Sequence, residues 1–400
     1  MPDKRTRTTN KSTSTAKYTL ALYAGAMIFN MCVNLTGSVL NEIMGDYDID
    51  LNNGGLMTFF QYIGGIAAIL ILSRFADRFK KPVILMIGLS VAAASLLIIG
   101  GYQPFAFFMV LYLIFGASLG ILDTNNNAAL TDLYPDKMNT VLSILHGVCG
   151  IGAVMTPIIT AIAGTSNWKS IYQGVAIVVA IIVVLQITMY FSDKKAVDRV
   201  YDSIDHNESK ASSKAFFADK NIWFATFSML FFGLSQGGLI TWIVKYNTDV
   251  FPSIGSFGWA MGLSIYWLGA TVCRLCMGLI PIFDKWDSRR IIVLGGLLAG
   301  VSLCAGVLSG NYYIFMVCVF LYGILNGATI PRIVALMNGW YPKNTGLSSS
   351  LSFTALYSGF AIAALTMGIL AAAFGMTVMM LLPVIATVLS GVAAIPISKK

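Results

Sequence analysis

Stretches of about 20 residues that are nearly free of charge recur along the whole chain. A helix needs about 20 apolar residues to cross the roughly 30 Å hydrocarbon core of a bilayer. The repetition of such stretches predicts an all-α membrane protein with twelve transmembrane helices. The predicted segments are residues 18–40, 54–75, 82–101, 104–131, 138–163, 169–192, 222–246, 257–281, 290–309, 312–335, 345–373 and 376–397.

The composition agrees with this prediction and excludes several classes of protein. Hydrophobic residues make up 57% of the chain and charged residues only 11%, whereas a globular protein carries roughly a quarter charged residues. The net charge of +8 lies in the tails and loops, so it indicates membrane topology and no nucleic-acid partner. No phosphate-binding G-x-x-x-x-G-K-[ST] motif occurs in the sequence, which argues against ATP-driven transport and against an enzyme of that type.

Basic residues concentrate on one side of the predicted membrane. Of the 26 lysines and arginines, all but Lys169, Lys245 and Arg274 lie in the tails or in alternate loops that share a side. Loops rich in lysine and arginine stay in the cytoplasm. The sequence therefore predicts a multi-pass protein of a bacterial-type cytoplasmic (inner) membrane, with both termini in the cytoplasm.

The two halves of the chain share a pattern at a constant offset. Gly116, Gly120 and the Tyr134-Pro135 pair have counterparts 207 positions later in Gly323, Gly327 and Tyr341-Pro342. Six helices is an even number, so both copies run in the same sense across the membrane. The sequence thus predicts a cytoplasmic tail (1–17), a six-helix bundle (18–192), a cytoplasmic linker (193–221) and a second six-helix bundle (222–400). This architecture resembles the major facilitator superfamily.

Three ionisable residues lie well inside predicted membrane helices. A charge at a helix centre costs about 2.5 to 3.5 kcal/mol on insertion scales, so a retained one indicates function. Asp123, His146 and Arg274 each lie eight to ten residues from the cytoplasmic end of their helix, which is roughly 12 to 15 Å. We expect them to share one layer and to form a proton-coupling cluster. The alternative is that Asp123 only pairs with His146 or Arg274 and holds the halves together.

Amide and aromatic side chains supply a predicted substrate site. Amides both donate and accept hydrogen bonds, which suits a neutral polyhydroxylated ligand, and flat aromatic faces suit a sugar ring. A single amide in a membrane helix, however, often only bonds a neighbouring helix, and aromatic residues often mark the membrane interface. The predicted substrate-binding residues are Asn30, Asn34, Gln61, Asn126, Asn127, Gln236, Trp242, Trp267, Asn326 and Tyr357.

The loop SRFADRFKKP, residues 73–82, resembles the facilitator signature between the second and third helices. Asp77 and Arg78 in this loop have repeat counterparts in Asp284 and Lys285. We expect these four residues to form gating loops that latch one conformation. Anchoring of basic side chains at the anionic leaflet is the simpler alternative.

Several segments together resemble the fucose:proton symporter family within the facilitators. Helix four carries Asp123, Thr124 and Asn127, and helix five reads SILHGVCGIGA with His146. Further similarities are Gln236 and the Lys245-Tyr246 pair in helix seven and Arg274 in helix eight. The resemblance implies that Asp123 is the protonated coupling carboxylate and that Gln236 and the asparagines contact sugar. The second acid of that family, in helix one, is replaced here by Asn30 and Asn34.

We therefore expect a secondary active transporter that works by alternating access, most simply a proton-coupled symporter of a sugar or sugar-like solute. Its partners would be that small molecule and the bilayer, with no cofactor apart from the coupling proton, and it would act as a monomer. A proton-coupled exporter of amphipathic compounds, an uncoupled sugar facilitator and a transporter-like receptor remain alternatives.

Overall fold

The computed structural model describes residues 14–75, 80–202, 213–341 and 345–398 of the chain. Within these ranges every regular element is a helix, and twelve helical spans are long and apolar enough to cross a membrane. The predicted all-α fold with twelve membrane segments is confirmed.

The helices are α1 (Ala16–Ser38), α2 (Leu40–Tyr47), α3 (Leu51–Phe75), α4 (Lys81–Ile99), α5 (Phe105–Leu133), α6 (Met138–Ala163), α7 (Trp168–Asp202), α8 (Ser213–Ala218), α9 (Lys220–Val250), α10 (Gly255–Leu279), α11 (Ser288–Leu308), α12 (Tyr312–Asn326), α13 (Thr329–Trp340), α14 (Thr345–Phe374), α15 (Met376–Met379) and α16 (Leu381–Ala393). We call α1–α7 the first half and α9–α16 the second half. The side of the bundle where α1 begins and α16 ends is the terminal side, and the opposite side is the distal side.

Two predicted segments are interrupted beside a proline. In the tenth segment, α12 ends at Asn326 and α13 begins at Thr329, two residues before Pro331. In the twelfth segment, α15 ends at Met379, four residues before Pro383, and α16 begins at Leu381. Proline has no N–H to donate to the carbonyl four residues earlier, so each helix loses a bond at its break. Hydropathy does not reveal these breaks, because apolar residues continue across both of them.

The sixth membrane helix continues into the predicted linker. α7 runs to Asp202, and hydrogen bonds and ion pairs hold the added turns against the first half. The backbone N–H of Tyr18 donates to Asp193 Oδ2 at 3.0 Å, while Lys80 Nζ lies 3.0 Å from Asp198 and 3.2 Å from Asp202. The linker therefore begins as a helix that is fixed to the terminal side of the first half.

The repeated glycines lie where helix backbones approach each other within each half. A Cβ atom on Gly116 would lie 1.6 Å from the carbonyl oxygen of Gln61 in α3, and one on Gly323 would lie 2.4 Å from the carbonyl oxygen of Tyr266 in α10. Only glycine permits such close contact at these points. Gly116 and Gly323 thus each lie on a face where two helices pack closely.

The main contacts between the two halves are those of α3 with α14 and α6 with α10, and α1 also packs along α9. On the distal side the backbones of α1 and α9, and those of α3 and α14, approach each other closely. A Cβ on Gly37 would lie 2.2 Å from the carbonyl oxygen of Ile240, and a Cβ on Gly55 would lie 2.4 Å from that of Ala364. These contacts hold the halves tightly together on the distal side.

Candidate functional site

Asp123 of α5 faces the opposite half of the protein. It is partly buried, and the hydroxyl of Tyr357 in α14 donates a long hydrogen bond of 3.4 Å to its Oδ2 atom. Tyr357 itself is only 3% exposed. Asn127 Nδ2 donates to the backbone carbonyl of Asp123 at 2.8 Å, which fixes that amide against its own helix. The carboxyl of the first half therefore contacts a hydroxyl of the second half in the protein interior.

Arg274 of α10 is held by the break in the tenth segment. Its side chain is 3% exposed, and its Nε donates to the carbonyl oxygen of Gly327 at 3.0 Å. Gly327 lies four residues before Pro331, so its carbonyl has lost the usual helical donor. The proline thus frees a carbonyl that the buried guanidinium uses. Arg274 could be predicted from its charge within a membrane helix, whereas the role of Pro331 in creating its acceptor could not.

A continuous chain of contacts connects α1 to Arg274. Asn34 Nδ2 donates to Asn30 Oδ1 at 3.1 Å, and Trp267 Nε1 donates to Asn34 Oδ1 at 2.6 Å. The guanidinium carbon of Arg274 lies 5.5 Å from the centroid of the Trp267 ring, within cation–π range. Four residues that the sequence predicted for the site are therefore brought together across the two halves.

His146 and Cys149 of α6 complete the buried polar layer. Both are less than a tenth exposed, and Arg274 is close enough to interact electrostatically with both side chains and with Asp123. Among the described residues, no ion pair of 4.0 Å or less joins Asp123 to His146 or to Arg274. Cys149 lies three residues after His146, which places both on the same helix face.

Five of the predicted site residues carry buried polar atoms without a protein hydrogen-bond partner. Since nearly all buried polar atoms in proteins are bonded, such atoms indicate where a ligand or water is needed. These atoms are Gln61 Nε2, Asn126 Oδ1, Asn127 Oδ1, Trp242 Nε1 and Arg274 Nη2. Three are donors and two are acceptors, and hydroxyl groups can satisfy both kinds.

Other predicted substrate residues bond inside one half. Asn326 donates to Thr387 at 3.1 Å and accepts from Thr329 at 3.1 Å, so both ends of its amide are occupied within the second half. Gln236 donates to the Tyr266 hydroxyl at 2.7 Å. These amides bond neighbouring helices, which was the alternative role for single amides in a membrane helix.

The side chains of Gln61 and Trp242 mainly contact neighbouring helices. Gln61 Oε1 accepts from Thr36 at 3.1 Å, inside a hydroxyl cluster of the first half. The Trp242 ring is fully buried, and Cβ atoms on Gly55 and Gly368 would lie 3.4 and 3.3 Å from it. Trp242 therefore fills the space between α3 and α14 on the distal side, and its buried ring nitrogen has no hydrogen-bond partner in the protein.

The predicted gating loops are only partly described. Asp77 and Arg78, and the side chain of Asp284, lie outside the described residues, and Lys285 is exposed. The adjoining residues of the first loop bind the first half, because Lys80 pairs with α7 and Lys81 with Asp132. The latching role of these loops stays a prediction.

Comparison with known proteins adds independent evidence. The sequence model of the Major Facilitator Superfamily matches residues 22–280 and 248–400. Bypass of stop codon protein 6 of Saccharomyces cerevisiae is 24% identical over 351 residues, which cover 78% of this chain and 68% of the yeast protein.

Two solved structures share the fold. The proton:xylose symporter XylE superposes with a TM-score of 0.72 at 14% identity, covering 94% of each chain. The Escherichia coli fucose:proton symporter FucP superposes with a TM-score of 0.66 at 14% identity, covering 96% of this chain and 98% of that one. At this identity the likeness concerns the arrangement of helices.

Proposed function

Because this chain belongs to the Major Facilitator Superfamily, a family of transporters, we propose that it is a proton-coupled symporter of a sugar or a sugar-like polar solute. Asp123 is the proposed protonation site. In this proposal the protein acts as a monomer in a cytoplasmic membrane of bacterial type, and its terminal side, where the basic residues concentrate, faces the cytoplasm.

One observation carries the proposal: the carboxyl of Asp123 in the first half accepts from the Tyr357 hydroxyl of the second half. Alternating access requires the two halves to rock about a central site. A bond that crosses between the halves changes during that motion. Since a protonated carboxyl has lost its charge, loading a proton on Asp123 alters this contact and the attraction of Arg274 at the same time.

These contacts suggest how proton and solute are coupled. When Asp123 is ionised, the hydrogen bond from Tyr357 and the attraction of Arg274 both stabilise the conformation seen here, in which the second half contacts the carboxylate. Protonation removes the charge, so moving Asp123 past apolar helix surfaces becomes less costly. Solute and proton then cross together, and loss of the proton to the cytoplasm restores the starting arrangement. No cofactor beyond the proton takes part in this scheme.

The free polar atoms support a polyhydroxylated solute. Arg274 offers an unpaired donor, and Asn126 and Asn127 offer unpaired acceptors. Trp267 adds a buried aromatic face beside Arg274. Both structural relatives named above are described as sugar:proton symporters, and a sugar substrate here is consistent with them.

A two-stage experiment tests the proposal. Sugars and polyols are first screened for a rise in the melting temperature of the purified protein, since a ligand that binds only the folded state stabilises it. Uptake of the best ligand into proteoliposomes is then measured with and without an acid-outside gradient, for the native protein and for Asp123→Asn. We expect the gradient to stimulate the native protein and to have no effect on Asp123→Asn, which should retain exchange of solute.

Controls separate the coupling role from general damage. Asp249→Asn alters a carboxylate that pairs with Lys245 at 2.6 Å near the distal end of α9, so its gradient response should stay native. A sodium gradient at constant pH replaces the proton gradient in a parallel arm. Stimulation by sodium alone, or an unchanged proton response in Asp123→Asn, would rule out the proposed coupling.

An uncoupled facilitator is the second candidate. In α1, asparagines stand where the fucose:proton symporter family has its second acid. Asn34 bonds Asn30 and Trp267, and neither asparagine can carry a proton for coupling. Uptake that follows the solute gradient and ignores pH would identify this alternative in the same assay.

A further inference from the structure

A second concave site lies away from the central layer. It is a groove of about 690 Å³ between α10 and α11 on the terminal side of the second half. Val272 of α10 and Leu294 and Leu298 of α11 form its walls, while Ile324 and Leu325 of α12 form its floor. The groove is therefore apolar along most of its length.

The groove opens toward the membrane. Val272 is 40% exposed, Leu294 57% and Leu298 51%. On helices that cross a bilayer, exposed apolar side chains face lipid hydrocarbon. The material available to fill this groove is thus the acyl chain of a membrane lipid.

The length of the groove matches one leaflet. Leu298 lies ten residues after Ser288, the first residue of α11, a distance of about 15 Å along the helix. This is half of the roughly 30 Å hydrocarbon core. The groove therefore runs from the terminal-side interface to about the middle of the membrane, as a chain of a lipid in that leaflet does.

The end of the groove at the interface carries positive charge and an aromatic ring. Lys285 and Arg290 line it and are exposed, and Trp286 beside them is 50% exposed. Asp287 also lines it: its Oδ1 accepts the Arg289 N–H at 3.0 Å and caps α11, and its Oδ2 lies 3.7 Å from Arg290 Nε. The described lining residues therefore include two cations and one carboxylate, which leaves an excess of positive charge. Basic pockets between membrane helices on the cytoplasmic side suit anionic lipid headgroups.

We propose that this groove binds an anionic phospholipid. Its headgroup phosphate contacts Lys285 and Arg290, and one acyl chain lies between α10 and α11. Ala328 also lines the groove and is the neighbour of Gly327, whose carbonyl accepts from Arg274 Nε. The lipid thus packs against the helix break that positions a central charge.

The test uses the full-length protein in detergent and native mass spectrometry. Dioleoylphosphatidylglycerol and dioleoylphosphatidylcholine are titrated separately. We expect the native protein to prefer phosphatidylglycerol, and Lys285→Ala/Arg290→Ala to bind it about thirtyfold more weakly, since each cation contributes to the attraction. Lys194→Ala/Lys195→Ala removes two exposed cations from α7 on the same side and should bind normally.

A second variant distinguishes a lipid from a free phosphate ester. Leu294→Trp fills the groove and leaves both cations in place, and its exposed position permits the larger ring without disturbing the core. We expect it to lose the preferential lipid binding, and glycerol 3-phosphate not to compete in the native protein. Equal affinity for the two lipids, equal loss in both double variants, native binding by Leu294→Trp or competition by glycerol 3-phosphate would each overturn the proposal.

Discussion

Replacing Pro331 with alanine tests how the protein positions Arg274. Alanine restores a backbone N–H that can donate to the Gly327 carbonyl, four residues earlier. That carbonyl now accepts Arg274 Nε at 3.0 Å. Closing the helical turn directs the carbonyl along the helix axis toward the new N–H, and away from the guanidinium.

Two opposing effects determine the change in stability. Proline in a helix interior is about 3 kcal/mol less favourable than alanine, so the substitution favours a continuous helix from Tyr312 to Trp340. A hydrogen bond from a charged donor contributes about 1.5 to 3 kcal/mol, and Arg274 loses one. The free energy of unfolding should therefore stay equal or rise by up to about 1.5 kcal/mol.

Transport should respond differently from stability. Arg274 is 3% exposed and its Nη2 already lacks a protein partner, so the variant leaves both Nε and Nη2 without a hydrogen bond to the protein. If that bond orients Arg274 for solute or for Asp123, the initial uptake rate should fall at least about tenfold, the factor that corresponds to 1.4 kcal/mol.

The assay compares uptake by proteoliposomes with the melting temperature of the same preparation. Pro157→Ala is the matched control, because Pro157 also lies inside a membrane helix, α6, and its freed carbonyl belongs to Ala153. This control should gain stability and keep its uptake rate. If Pro331→Ala also keeps the native rate, the freed carbonyl does not position Arg274 for transport.

Three further predictions concern stability. Trp267→Phe keeps the aromatic face but leaves a buried amide oxygen of α1 unpaired, so the free energy of unfolding should fall by about 1 to 3 kcal/mol; an unchanged melting temperature would contradict this. Gly116→Val should prevent α3 and α5 from packing and sharply reduce the yield of folded protein, whereas Gly339→Ala, which has open space around it, should fold normally. The hydrogen bond from Lys169 lowers the pKa of Asp46, so Asp46→Asn should be slightly less stable than the native protein at neutral pH. That difference should disappear as the pH falls below 3.8 and Asp46 takes up a proton.

Much of the architecture could be predicted from local patterns. The twelve membrane segments follow from hydropathy because burying a helix in lipid requires a long apolar run, whatever its neighbours are. The repeat follows from its glycines: Gly116 and Gly323 occupy equivalent contacts, where only a residue without a side chain fits. Asp123 could be selected because a carboxyl is costly in that environment.

The two repeats differ at the positions that matter most for the site. Asp123 corresponds to Ile330, and Thr124 corresponds to Pro331, in each case with an offset of 207. The first copy therefore carries the carboxyl on an unbroken helix, and the second carries the break whose free carbonyl bonds Arg274. The first difference was visible in the sequence as a charge. The second difference was also visible in the sequence, as a proline. The role of that proline, however, depends on the Arg274 side chain from another helix.

The tertiary structure alone decided which polar residues meet. From the sequence, Asp123 could pair with His146 or Arg274, whereas in the fold its hydrogen-bond partner across the halves is Tyr357. Asn326 resembled a site residue but bonds within its own half. The physical reason is that hydropathy and helical spacing report the surroundings of one helix at a time. The rotation and contacts of the packed helices determine which distant side chain completes each hydrogen bond.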